Sequence, residues 1–269
     1  MPRAPDRPVF SLHDAAVALL DSAAQTLTSK QDDASVHTAR KACKQARAAL
    51  RLLRECLGDE VYRRENQRVR DAAKPLTVVR DAFVLRRTLH TLPVRPAALQ
   101  RRLTADYRRE QHALQRRGAR RAIQPILETR RRLAELPAMD SEVSSARAGV
   151  RRVYKAGRKA FRKARSRDDQ ALHEWRKQAK YLLNQLDLLK LVLKVKCKPL
   201  RRRTHRLTDA LGTDHDLSAL SHQLQRYAIH DPALQRHIKK RRGKLQAAAF
   251  QLGKKIYRHS AKHLEGALG

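Results

Sequence analysis

Apolar residues recur along this chain at steps of three and four, the spacing of one helix face, and every apolar pattern of useful length has that period. One seam reads Val36, Ala39, Cys43, Ala46, Leu50, Leu53 and Leu57. A second reads Leu172, Trp175, Ala179, Leu182, Leu186, Leu189 and Leu193, and it follows the first position for position at an offset of 136. A third, Val143, Ala146, Val150, Val153, Gly157, Ala160 and Ala164, lies between them. The helical patterns are interrupted near 30–35, 58, 93–96, 137–140, 166–169, 196–199 and 228–232, which predicts eight helices over 10–29, 35–57, 60–91, 97–135, 142–166, 170–195, 199–227 and 232–264. Pro75 and Pro125 fall inside the third and fourth patterns, where a missing backbone donor predicts a kink. The repeat divides one domain, 1–269, into four-helix halves over 10–136 and 141–265, packed as antiparallel neighbours.

Composition agrees with an all-α chain. Hydrophobic residues make up 41% of it, enough for a real core, whereas Gly numbers 9, Pro 10 and aromatics 4%; Ala, Leu, Arg, Lys and Gln are strong helix formers. No basic segment followed by an apolar stretch opens the chain, and no apolar run approaches the roughly 18 residues of a membrane span. Cys43, Cys56 and Cys197 are odd in number and lack a CxxC spacing, so neither a disulfide framework nor a cysteine zinc site is expected. The reading is of a protein of a reducing cytoplasm.

Charge changes the picture most. With 61 Lys and Arg against 26 Asp and Glu, the net charge is +35, and it is patterned. His37, Arg40, Lys41 and Lys44 form a row beside the first seam, continued by Arg47 and Arg51; His173, Arg176, Lys177 and Lys180 form the same row beside the second. Beyond each row comes a short match, Leu76 with Arg80-Asp81 and Leu211 with His215-Asp216. From Arg147 to Arg167 there are ten Lys or Arg and no Asp or Glu, with Arg147, Arg151, Lys155, Arg158, Arg162 and Arg165 as a continuous stripe. Like charges one helical turn apart repel, so three such rows point to an anionic ligand gathered in a common groove. Each histidine can donate to an anionic oxygen when neutral and add charge when protonated. Asp81 and Asp216 read as supports that hold Lys and Arg in place. His259 and His263 have the spacing of a zinc pair but no third ligand, so no metal or other cofactor is expected. No phosphate-binding glycine loop, GxSxG or Cys-His pattern occurs, and the protein is expected not to be an enzyme.

Together the paired rows and the later Arg-Asp turn resemble the CHAD family, the conserved histidine α-helical domain, over nearly the whole chain. The resemblance implies eight or so helices in two four-helix bundles, related by a pseudo-two-fold axis, around a basic pore. It also implies a binding module for inorganic polyphosphate, often at polyphosphate granules. His215 stands where the family pattern has arginine, and the first helix carries Asp14 and Asp21 where the fifth is cationic. Some relatives join this domain to an acidic, metal-binding hydrolase-like segment; this sequence has none and looks like the stand-alone type. A chain of phosphates needs Arg forks and Lys point charges along a groove, without stacking aromatics. Single-stranded nucleic acid favours aromatic platforms, whereas duplex DNA, bound through charge alone, is the alternative ligand. A membrane-surface or adaptor role is weakened because no basic stripe adjoins bulky exposed aromatics.

Overall fold

The computed structural model describes residues 11–137, 139 and 141–261. These form eleven α-helices with no strand among the described residues: α1 (Leu12–Ser29), α2 (Asp33–Leu52), α3 (Arg54–Leu57), α4 (Asp59–Ala72), α5 (Lys74–His90), α6 (Ala97–Ala113), α7 (Ala119–Ala134), α8 (Glu142–Lys163), α9 (Asp169–Leu191), α10 (Lys198–Arg226) and α11 (Pro232–Ile256). The expected all-α class holds; the expected count of eight does not, and the outer ends of the first and last expected helices lie outside the described residues.

Each extra element has a local cause. The helix expected over 35–57 ends at Leu52 because the Ser145 hydroxyl of α8 enters its ladder, donating to the Leu52 carbonyl at 2.7 Å and accepting from the Glu55 amide at 3.1 Å. The chain then makes the single turn α3 and stops at Gly58, whose φ of +74° suits glycine. The helix expected over 60–91 divides at Ala73, since Pro75 supplies no amide to continue α4 but is tolerated in the first turn of α5. Pro125 does not break α7; the irregularity lies upstream in a π turn over Leu114–Gly118, where Gly118 sits against Pro75.

Aspartates start the two repeated helices. Asp32 caps α2 through the Ser35 amide and Asp168 caps α9 through the Ala171 amide, both at 2.8 Å. Glu142, buried at the start of α8, receives the Leu12 and His13 amides of α1 at 2.8 and 3.1 Å, so one carboxylate joins two helix N-termini. Asp14 forms a capping box with Ser11, and Asp21 pairs with Arg130 at 3.4 Å.

The α2 seam is buried throughout, and so is the α9 seam as far as Leu189; Leu193 lies past the end of α9 and is half-buried. Val143, expected in the α8 seam, is 51% exposed. One apolar cluster runs through both halves, with Trp175 and Tyr154 among its largest fully buried side chains. A smaller cluster joins Leu89, Leu99 and Leu103 of α5–α6 to Leu217, Leu220 and Leu224 of α10. Neither half keeps a core to itself. Within this framework α2 packs on α5 and α9, and α10 packs on α5 and α9, which closes a ring of four helices.

Candidate functional site

The ring gathers the charged rows. Arg40 and Lys44 come from α2, Arg176 and Lys180 from α9, Arg80 and Asp81 from α5, and His215 and Asp216 from α10. They interact across the halves: Arg176 and Lys180 act on Lys44, Arg40 and Arg176 act on Asp81, and Arg80 and Asp81 act on Asp216. The strongest of these influences come from the four ring helices.

Arg40 is firmly placed. Its side chain is 12% exposed, its Nε donates to Thr77 Oγ1 at 3.3 Å, and its guanidinium lies 3.7 Å from Asp81. Thr77 is itself fixed by donating to the Ala73 carbonyl at 2.9 Å. The Asp81 side chain, on α5, is 68% exposed beside Arg40. Enclosure raises the carboxyls of Asp81 and Asp216 above the usual range while the surrounding arginines act against that. Enclosure also lowers Arg40, Arg176, Lys180 and Lys44; for Lys44, Arg40, Arg176 and Lys180 add to it, and the amine falls to about 8. Asp81 and Asp216 are shared among these cations, with Asp33 also acting on Arg80 and Asp209 and Asp187 on Lys180. Arg176 Nε is buried with no hydrogen-bond partner.

The histidines differ between halves. His37 is exposed at the start of α2; enclosure lowers it first, then Arg80, Arg40, Lys44 and Lys41. His173 faces His215 with 3.5 Å between their Nδ1 atoms and 4.9 Å between ring centroids. Enclosure, then Arg176 and His173, depress His215 to about 4, and enclosure with Arg176 and Lys177 lowers His173 as well. Both rings line a cavity of about 340 Å³ with Asp169, Asp214, His222 and Arg242, in which Arg242 Nε donates to Asp214 at 2.9 Å and pairs with Asp169.

Other expected residues are placed differently. Arg47 donates to Asn66 Oδ1 at 3.0 Å, and enclosure with Arg51 beside it lowers it to about 10. Arg51 is turned to structure, stacked 3.9 Å over the Tyr181 ring of α9. Lys41 is exposed, Lys177 pairs with Glu174, and Arg80 lies 4.8 Å over Phe83. Arg147, Lys155 and Arg162 are exposed and Arg151 and Arg158 half-buried. The α8 seam is spent on packing against α9 and α2, and Arg147, Lys155 and Arg162 of the adjoining stripe are left exposed to solvent. Of the histidine pair, His259 accepts from Arg258 Nε at 3.2 Å and His263 lies outside the described residues. No group of three or more residues suited to a metal ion occurs among the described residues.

Two sets of residues escaped the sequence reading. Arg70 and Lys74, at the junction of α4 and α5, line a second recess of about 410 Å³ with Arg40, Lys44, Arg47 and Thr77. Asp33 and Asp169 begin the two repeated helices and are likewise 136 apart. Asp33 accepts from Tyr107 at 2.8 Å, while Asp169 accepts from Ser218 and Arg242. Extending the row comparison by four residues toward the N-terminus finds the aspartates; no comparable signal marks Arg70 and Lys74.

No curated protein matches the chain. The fold is similar to a crystal structure of the CHAD domain from the plant Ricinus communis, with a TM-score of 0.58 and 17% identity over 96% of this chain and 91% of that one. The family model described as CHAD domain matches residues 12–225, and with four ring helices carrying the paired rows inside that span, the chain belongs to the CHAD domain family.

Proposed function

We propose that this protein binds inorganic polyphosphate without altering it, in a basic pore between two four-helix bundles related by a pseudo-two-fold axis. The observation that carries the reading is the convergence of Arg40 and Lys44 from one half with Arg176 and Lys180 from the other, close enough that Arg176 acts on both Arg40 and Lys44. Assembling like charges in a recess is unfavourable unless an anion completes it; enclosure first, and then Arg40, Arg176 and Lys180, depress the Lys44 amine there.

The aromatic residues favour phosphate over single-stranded nucleic acid. Trp175, Phe161 and Tyr257 are buried, with ring centroids of Phe161 and Trp175 5.1 Å apart, so they serve the core and not a stacking platform. Asp81 and Asp216 stand among arginines as positioning groups, which supports binding over catalysis. The cellular role that follows is cytoplasmic, with polyphosphate granules as the store of ligand.

Titration with long-chain polyphosphate, pyrophosphate, single-stranded DNA and duplex DNA at equal charge and about 0.15 M salt tests this. Long-chain polyphosphate is expected to bind most tightly, with affinity falling steeply as salt rises. DNA binding as tight or tighter would overturn it.

A further inference from the structure

The ring is unequal in charge from one half to the other. Arg47 of α2 corresponds to Leu183 of α9 at the offset of 136. Between α4–α5 and α10 the offset is 135, as Leu76 and Leu211 show, and there Arg70 corresponds to His205 and Lys74 to Asp209. His205 and Asp209 pair with each other at 2.8 Å. Lys44 has Arg40, Arg176 and Lys180 against the one carboxylate Asp81, whereas Lys180 has Arg176 against the three carboxylates Asp209, Asp216 and Asp187. Cations accumulate at the first-half end of the groove and are balanced at the other.

That first-half end is a recess of about 410 Å³ whose walls carry five cations, Arg40, Lys44, Arg47, Arg70 and Lys74, and no carboxylate. Two of its three arginines are held by neutral partners that leave charge available, Arg47 by Asn66 and Arg40 by Thr77, although Arg40 also lies 3.7 Å from Asp81. Lys74 has an exposed pair with Asp71 at 2.8 Å, of a kind that is weak in water and yields to a multivalent anion.

In a linear polyphosphate the inner units carry one charge each, while an end unit has a second ionisable oxygen, comparable to that of a phosphomonoester with a pKa of about 6. We propose that the recess between α2, α4 and α5 is the subsite for the terminal phosphate, so that the chain is held by its end with a fixed direction along the groove. This rests on the polyphosphate reading and adds to it the group recognised and the polarity of binding.

Linear tripolyphosphate and cyclic tetrametaphosphate separate the two ideas, because the ring has four charges and no end. Tripolyphosphate is expected to bind about tenfold more tightly, the worth of one charge-assisted contact. The exposed pair Arg70→Ala with Lys74→Ala should abolish that preference, whereas Arg236→Ala with Lys239→Ala on the outer face of α11 should retain it. Equal binding of the two phosphates by the unaltered protein, or a preference that survives Arg70→Ala/Lys74→Ala, overturns the end subsite while long-chain binding stands. Failure of every phosphate, long-chain included, overturns both readings.

Discussion

At Lys44 enclosure and like charge act in the same direction on one titrating group. Its amine is lowered from 10.5 to about 8 by enclosure and by Arg40, Arg176 and Lys180, with Asp81 of α5 as the opposing carboxylate. Between those values the unfolded chain holds a proton that the folded chain releases, so this group makes stability rise with pH across that window. Phosphate binding has the opposite sign, because it needs the charged amine: affinity should fall as pH climbs past about 8. Thermal unfolding and phosphate titration across this range check both signs, and Lys44→Met should flatten both slopes. His215 acts at the other end of the scale. Its folded value of about 4, against 6.5, means that the unfolded chain binds a proton first on acidification, so stability contributed by the neutral ring is lost as pH falls from 6.5 toward 4. The groups facing it are Arg176, His173, Asp169 and Arg242. His215→Gln should remove this part of the acid sensitivity in unfolding measured across the window.

The helices and their main interruptions were legible from periodicity and from breakers such as Gly58 and the prolines, whereas the division of the second helix at Leu53 and the π turn before α7 were not. The α2 and α9 seams are buried because the spacing of three and four fixes which face of a helix is apolar. What ends α2 at Leu52 is a hydroxyl from a helix nearly a hundred positions away, and no local pattern carries that information. The same approach depends on Gly149, since a Cβ there would lie 2.8 Å from the Arg51 carbonyl oxygen and 3.0 Å from Leu52 Cα, both backbone atoms that cannot turn aside. Gly149→Ala should therefore cost about 1–3 kcal/mol, the usual range for overpacking. Ser145→Ala should cost a similar amount, about 1–3 kcal/mol, by leaving the Leu52 carbonyl and Glu55 amide without their partner. Urea unfolding measures both, and a change below about 0.5 kcal/mol in either would mean that the α2–α8 contact is looser than described.

At the scale of the molecule, the internal offset carried most of what the sequence revealed about the site. It singled out Arg40, Lys44, Arg176 and Lys180 because each occurs twice beside a matching seam, and these four come together. Repetition is blind to what one half has alone. Arg70 and Lys74 have His205 and Asp209 as counterparts, so the comparison discards them, yet they line the recess. Charge density is a weaker guide: the α8 stripe carries ten cations in twenty-one positions, but density along one helix says nothing about which way that face points after its seam is buried.

The central claim is that Arg40 of one half and Arg176 of the other serve one bound polyphosphate. The most direct measurement is a double-mutant cycle on long-chain polyphosphate affinity with Arg40→Ala, Arg176→Ala and both, with folding verified by circular dichroism and Arg101→Ala and Lys239→Ala as exposed controls. Each ring substitution is expected to cost about 1.5–3 kcal/mol, the range for hydrogen bonds to charged groups. The double variant should depart from the sum by 0.5 kcal/mol or more, in the range of coupled residues, roughly 0.5–3 kcal/mol. Each control should cost well under about 1 kcal/mol. Strictly additive losses, or losses no larger than those of the controls, would contradict a single site shared between the halves.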